Sequence, residues 1–240
     1  MDIKVNALVL RATDYNENDK ILTLLTAENG KISAGIKGVK KPNAKLRFAA
    51  QPFCFAEYVL AKRGEKYTVI NCSECESFYD LRTDIDKFYA ASAVVEAASA
   101  LTFEGGECAE IFYDCIKTLT NMCLSDERAL LLQFLIGALE KSGYAISLGD
   151  CRVCGKSLCR EEKVRFEMDS GTFTCFDCGK GAGVSRVTYN VLRKLKNKSF
   201  EREFITPDGE MRALKLIKEY FYYKTENPVK SLLEYIKIKQ

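Results

Sequence analysis

From the N-terminus to Ile70, apolar residues alternate with polar ones in short runs, the period of strands with one buried face. Ile3, Val5, Ala7 and Val9 make the first run, and Ile21–Leu25, Ile32–Ile36, Phe53–Leu60 and Tyr67–Ile70 follow. Asn29-Gly30 reads as a type I′ hairpin turn, because that turn needs positive φ at both central residues. Arg63-Gly64 plays the same part before the fifth run. Five short strands in eighty residues predict a small barrel or a strongly bent sheet.

After Tyr79 the apolar period lengthens to that of a helix. The spacing predicts a helix over 84–103, with Ile85, Phe88, Val94, Val95, Ala98 and Leu101 inward. A second follows with Cys108, Ile111, Phe112, Cys115, Ile116, Leu119, Met122 and Cys123 on one face. A third is predicted over 126–142, capped by Ser125 and stopped by Gly143. Cysteine and glycine interrupt the pattern over 151–185. Helical spacing returns over 187–196 and 207–223, and Asn227-Pro228 reads as the start of a last helix facing inward through Val229, Leu232, Leu233 and Ile236. The expected class is α+β: a strand domain (1–80), a helical body in two parts (81–150 and 186–240), and a cysteine module between them (151–185).

That module carries the most specific motif. Cys151-Arg-Val-Cys154 and Cys175-Phe-Asp-Cys178 are two CxxC pairs separated by twenty residues. Each CxxC turn can aim two thiolates at one ion, and two such turns complete a tetrahedron. Gly155 and Gly179 follow the pairs and suit tight knuckles, while Lys163–Met168 and Gly171–Thr174 read as a hairpin turning at Asp169-Ser170-Gly171. Together they predict a zinc-ribbon-like site with Cys151, Cys154, Cys175 and Cys178 as ligands to one structural Zn²⁺. Four sulfurs leave no open position for water. Iron in a rubredoxin-like site and free redox thiols are the alternatives. Cys72-Ser-Glu-Cys75 is a third CxxC without a second pair near it and reads as a turn; Cys54, Cys108, Cys115 and Cys123 read as core.

Composition removes several chemistries. The 240 residues include no histidine, which excludes imidazole-based triads and His-ligated catalytic zinc, and no tryptophan, which leaves stacking to 14 Phe and 12 Tyr. Gly179-Lys-Gly-Ala-Gly183 lacks the spacing of a nucleotide-binding loop. Asp14, Glu17 and Asp19, or Asp84 with Asp86, could be pictured as carboxylate metal sites, but helix starts and surface loops carry acids freely. No nucleophile, base and orienting group come together, so no enzymatic activity is expected. No run approaches eighteen apolar residues and the N-terminus lacks a signal-peptide pattern, so a cytoplasmic protein without a membrane partner is expected.

Net charge is only +3, but it is unevenly placed: +2 over 1–80, −6 over 81–150, +1 over 151–185 and +6 over 186–240. Between Glu28 and Glu57 there is no acidic residue, while Lys31, Lys37, Lys40, Lys41, Lys45 and Arg47 lie there. The Gly-, Pro- and Asn-bearing part of this stretch reads as a flexible loop at a barrel rim. Cations without competing carboxylates can follow a phosphate backbone. Phe48, Phe53, Phe55 and Tyr58 follow, either as base-stacking groups or as core. A second cationic stretch holds Arg186, Arg193, Lys194, Lys196, Lys198 and Arg202. It reads equally as a solvated helix face or as a nucleic-acid contact through Arg193, Lys194 and Lys196.

The loop Gly38-Val-Lys-Lys-Pro-Asn-Ala-Lys-Leu-Arg47, then Gln51-Pro52-Phe53, then a helical body holding Cys151-Arg-Val-Cys154-Gly155, resembles the bacterial RecO family of DNA repair and recombination proteins over nearly the whole chain. The resemblance implies an OB-fold for residues 1–80. It implies a non-enzymatic mediator that binds single- and double-stranded DNA, anneals complementary strands, and with RecR helps RecA replace single-strand binding protein (SSB). It also implies that the helical body docks the acidic, hydrophobic C-terminal tail of SSB, although no short motif carries that pocket over, and a nucleoid-associated location. Some members of the family lack the cysteines, so the metal is a structural solution. A zinc-stabilised protein-interaction module, a metal-dependent nuclease and a thiol redox protein are the rival readings.

Overall fold

The computed structural model describes residues 2–197 and 206–239, in two compact units, 1–125 and 126–240. In the first unit β1 (Asp2–Tyr15), β2 (Asp19–Thr26), β3 (Lys31–Ile36), β4 (Phe55–Arg63) and β5 (Lys66–Glu76) close a barrel in the order β1-β2-β3-β5-β4. All neighbours are antiparallel except β3 and β5, which pair parallel. This is the OB-like barrel expected. Alternate residues fill it: Val5, Ala7, Val9, Leu22, Leu24, Ile32, Ala34, Ala56 and Leu60 are buried together, and the Tyr58 hydroxyl donates to the Ala49 carbonyl at 2.7 Å.

The β2–β3 hairpin is present, but its turn is not type I′. Gly30 has φ +60°, whereas Asn29 is not among the non-glycine residues with positive φ. The Thr26 amide and hydroxyl both donate to the Gly30 carbonyl, at 2.9 and 3.0 Å. The segment 103–106 lies against this turn and decides its shape. A Cβ at Gly30 would lie 2.2 Å from the Phe103 carbonyl oxygen and 2.7 Å from that of Gly106. Gly30→Ala is therefore expected to cost about 2–3 kcal/mol in urea unfolding, through strain and collision together. A loss below about 0.5 kcal/mol, the scale of an ordinary surface change, would contradict this.

Helices α1 (Asp80–Thr83), α2 (Ile85–Leu101) and α3 (Ala109–Leu124) complete the unit. Asp84 caps α2, its carboxylate accepting from the amides of Asp86 and Lys87 at 2.9 and 3.0 Å, which is the use of the acids seen there. Phe88 packs edge-on against Phe53, and Phe112 against Phe55, at centroid distances of 5.7 and 6.0 Å. Ile85, expected inward, is 65% exposed: it precedes the small-residue face of Ala90, Ala91, Val94, Ala97 and Ala98 that packs.

The second unit holds α4 (Glu127–Lys141), a three-stranded sheet in the order β7-β6-β8, and α5 (Arg186–Lys196), α6 (Pro207–Thr225) and α7 (Lys230–Ile238). The strands are β6 (Lys163–Glu167), β7 (Thr172–Cys175) and β8 (Ala182–Ser185). Phe166 and Phe173 seat the sheet on Tyr189 of α5 and Tyr220 of α6, with centroids 4.6–5.2 Å apart. Two expected caps move by a residue or more. Asp126, not Ser125, caps α4 through its carboxylate and the Arg128 amide at 3.0 Å, while Ser125 ends α3 by donating to the Asn121 carbonyl. Asn227-Pro228 does not open α7, whose N-cap is Val229; the Asn227 side chain instead donates to the Thr225 carbonyl at the end of α6. Among the described residues no helix is long and apolar enough to cross a membrane.

Candidate metal centre and nucleic-acid surface

The sulfurs of Cys151, Cys154, Cys175 and Cys178 all lie within 4.8 Å of one another, and those of Cys154 and Cys175 are 3.7 Å apart. A disulfide needs about 2.05 Å. Tetrahedral zinc, with Zn–S bonds near 2.3 Å, spaces its sulfurs at about 3.8 Å. The donor set therefore fits a closed tetrahedral ion.

Local structure explains how two short segments converge. In the first knuckle the Gly155 amide donates to the Cys151 carbonyl at 2.8 Å and the Cys151 amide to that of Lys156 at 2.9 Å, with Gly155 at φ +72°. In the second, the Cys178 and Gly179 amides both donate to the Cys175 carbonyl. The two glycines serve different ends: Gly179 has an ordinary φ, but a Cβ there would lie 1.8 Å from the Thr174 hydroxyl oxygen. Arg165 braces the second knuckle, its guanidinium 3.9 Å from the Phe176 ring and donating to the carbonyls of Phe176 and Gly181. It is thus internal to the module, whereas Arg152, Lys156, Arg160 and Lys163 are exposed.

The thiols are arranged for charge. Burial opposes ionisation of Cys151, but the amides of Cys175, Cys154 and Val153 outweigh it and bring that thiol down to about 6. Cys178 is pushed up to about 12 by the neighbouring Cys175 and Cys154. Ionisation is thus favoured at Cys151 and opposed at Cys154 and Cys178, an electrostatic demand that a divalent cation meets. Cys72 and Cys75 make no such group, since residues three apart on a strand point to opposite faces: Cys72 is buried and Cys75 exposed. Burial raises the Cys54 and Cys72 thiols to about 11 and about 12, as for inert core cysteines.

The basic loop at the barrel rim is a succession of turns, not an open coil. The amides of Lys41, Ala44 and Arg47 donate to the carbonyls of Gly38, Lys41 and Ala44 at 3.1–3.3 Å, and Val39 is buried. Lys37, Lys41, Lys45 and Arg47 are exposed, and among the described residues no carboxylate pairs with them. Two other cations are committed: Lys40 binds Asp14 at 2.9 Å, and Lys31 donates to the Ser99 carbonyl at 2.8 Å. Asp14 also holds Lys20, at 2.8 Å, and Asp19 accepts from the Gly38 amide at 2.7 Å. Lys20 first and Lys40 second hold the Asp14 carboxyl down to about 2. Asp14 and Asp19 are thus braces for the basic loop. The signal was in the hairpin register, which sets Asp14 directly opposite Lys20. A cleft of about 640 Å³ lies between this turn and the loop, lined by Asn16, Glu17, Lys37 and Lys41 among others.

Phe53 and Tyr58 are 2% and 0% exposed, which withdraws them from bases; Phe48 packs against the barrel core and Phe55 against Phe112. On α5, Arg193 is exposed, while Lys196 binds Glu140 at 3.1 Å and the Ile146 carbonyl at 2.9 Å. Lys194 is half-buried, Arg186 is exposed, and Lys198 and Arg202 lie outside the described residues.

A groove in the second unit, about 880 Å³, was not visible in the sequence. Phe176, Val184, Leu216 and Leu233 give it an apolar floor, and Lys163, Arg212, Lys215, Lys218 and Lys237 a cationic rim with Glu219 as the one acid. Its parts come from β6, β8, the second knuckle, α5, α6 and α7, so no sequence window contains it.

Residues 1–78 match the family model described as Recombination protein O N terminal, and residues 82–233 match Recombination protein O C terminal. Among similar curated proteins, each called DNA repair protein RecO, that of Desulforamulus reducens is 30% identical over 95% of this chain and 91% of its own length. That of Desulfitobacterium hafniense (strain DSM 10664 / DCB-2) is 33% identical over 82% of this chain and 74% of its own. That of Clostridium novyi is 32% identical over 84% and 80%.

Proposed function

The chain belongs to the RecO family, whose role is in DNA repair and recombination, and from that premise we propose that it is a non-enzymatic mediator that holds and anneals DNA strands. The observation that carries this is the carboxylate-free exposure of Lys37, Lys41, Lys45 and Arg47 along one rim of an OB-like barrel. Four cations spaced along ordered turns follow a phosphate chain without reading bases, on single- or double-stranded DNA. By neutralising one strand they lower its repulsion for a complement, which is what annealing requires. Arg193 and Lys194 of α5 are proposed as a separate cationic contact; Lys40 and Lys196 start from internal ion pairs.

Zn²⁺ is the ion proposed for the four cysteines, where it cross-links the two knuckles and no reacting group. The exclusion of catalysis rests on the missing nucleophile–base–orienter set. It is tested by incubating DNA with Mg²⁺: no turnover is expected, and chelator-sensitive cleavage would establish the nuclease reading. The protein partners are proposed to be RecR, through which RecA is helped indirectly, and the SSB tail, at a nucleoid-associated location. The groove of the second unit supports the SSB partner, because a short acidic tail with apolar side chains matches an apolar floor and a cationic rim. Lys215→Glu with Arg212→Glu is expected to weaken binding of an SSB-tail peptide at least tenfold in fluorescence anisotropy. Unchanged affinity would move the tail elsewhere. Annealing of bare complementary strands without nucleotide should proceed faster with the protein than without it; an unaltered rate would leave a zinc-stabilised interaction module.

A further inference from the structure

The loop that supplies the proposed DNA contacts holds one cation back. Lys40 is half-buried, and its ammonium lies 2.9 Å from one oxygen of Asp14, whose other oxygen takes Lys20 at 2.8 Å. The loop cannot shift freely to release this pair. Its first turn is fixed by the Gly38 amide on Asp19, at 2.7 Å, and by the Lys40 amide on the Asn18 carbonyl, at 3.0 Å. Val39, between those anchors, is buried in the barrel. So Lys40 is placed at the rim by its backbone while its side chain is held by Asp14.

We propose that Asp14 limits the affinity of the rim for DNA phosphates by sequestering Lys40, and that Lys20 makes the restraint reversible. When a phosphate approaches, the Lys40 ammonium exchanges one anion for another, and Asp14 stays neutralised by Lys20. The exchange therefore leaves no unpaired charge. The carboxylate of Asp14, held down to about 2 by Lys20 and then Lys40, remains ionised at any pH at which the protein works. The restraint is thus permanent chemistry, not a pH switch. A mediator must pass its strand on, and a cation that forms its contact only by giving up an ion pair keeps the grip loose.

This inference rests on the reading of the rim as a DNA surface, and the test separates the two. Affinity for a fluorescent oligothymidylate is measured against salt for the full chain and its variants. Asp14→Asn spares Lys40 the ion pair it otherwise gives up to reach a phosphate, so affinity should rise about two- to fivefold near 0.1 M salt, the worth of an exposed ion pair, with the slope of log affinity against log salt little changed. Asp14→Ser, which also removes the charge, should do the same, and thermal unfolding checks that both fold. Adding Lys40→Ala to Asp14→Asn should remove the gain. In the parent chain Lys40→Ala should cost less affinity than Lys41→Ala. No gain from either Asp14 variant, or an equal loss from Lys40→Ala and Lys41→Ala, overturns the inference. Failure of the underlying reading looks different: replacing Lys37, Lys41, Lys45 and Arg47 together would leave affinity unchanged.

Discussion

Cys175→Ser is expected to abolish stoichiometric zinc binding and to lower the stability of the second unit by roughly 3 kcal/mol or more. Structural zinc contributes about 10–16 kcal/mol of apparent binding free energy in small finger peptides, and here it would tie together two knuckles that otherwise share only their packing. Cys175 is 3% exposed at the end of β7, the strand that brings Phe173 onto Tyr189 of α5. Loosening it therefore frees the aromatic seat of the sheet as well as a ligand. Hydrogen exchange should show lost protection over 151–185 and in α5 and α6, with the barrel strands protected as before. The intact chain should carry one zinc and resist alkylation at the four cysteines until the metal is stripped. A zinc-free variant that unfolds as the parent does would end the structural-metal assignment, and reversible disulfides between the pairs would favour a redox protein.

The second large effect concerns the rim. Replacing Lys37, Lys41, Lys45 and Arg47 with alanine removes four proposed phosphate contacts. Each contact contributes about 0.7 to the salt slope on single strands, so the slope should flatten by about 2.8 and affinity near 0.1 M salt should fall roughly 600-fold. The substituted side chains are exposed and the turns are held by backbone bonds and Val39, so the barrel should melt within a degree or two of the parent. An unchanged slope in a folded variant would remove this rim from the DNA site.

The barrel was legible because alternation and the glycines between runs marked five strands in the first eighty residues, each signal being local, although β1 (14 residues) and β5 (11 residues) run well past the short runs expected. The grouping of the four cysteines was legible for a like reason, since CxxC spacing encodes its own geometry. What stayed hidden depended on partners distant in sequence. The turn at Gly30 takes its shape from the carbonyls of Phe103 and Gly106. Strand β8 lies in the run Gly181-Ala-Gly-Val-Ser185, whose composition signals a loop; pairing with β6 makes it a strand. The grooved surface of the second unit draws on six segments. The basic loop was found by charge, but which of its cations are available was not. That required knowing that Asp14 lies across the hairpin from Lys20 and within reach of Lys40. Only the first of those two facts can be worked out from strand register.

The central claim, that this chain brings DNA strands together in the presence of SSB, is tested most directly by annealing. Complementary strands are precoated with cognate SSB, the protein is the only addition, and no ATP is present. The expected result is pairing faster than the spontaneous rate, slowed by salt, by the four-residue rim variant and by excess SSB-tail peptide. Unaccelerated pairing by the folded, zinc-loaded chain would contradict the claim and leave a metal-stabilised module that acts through a different partner.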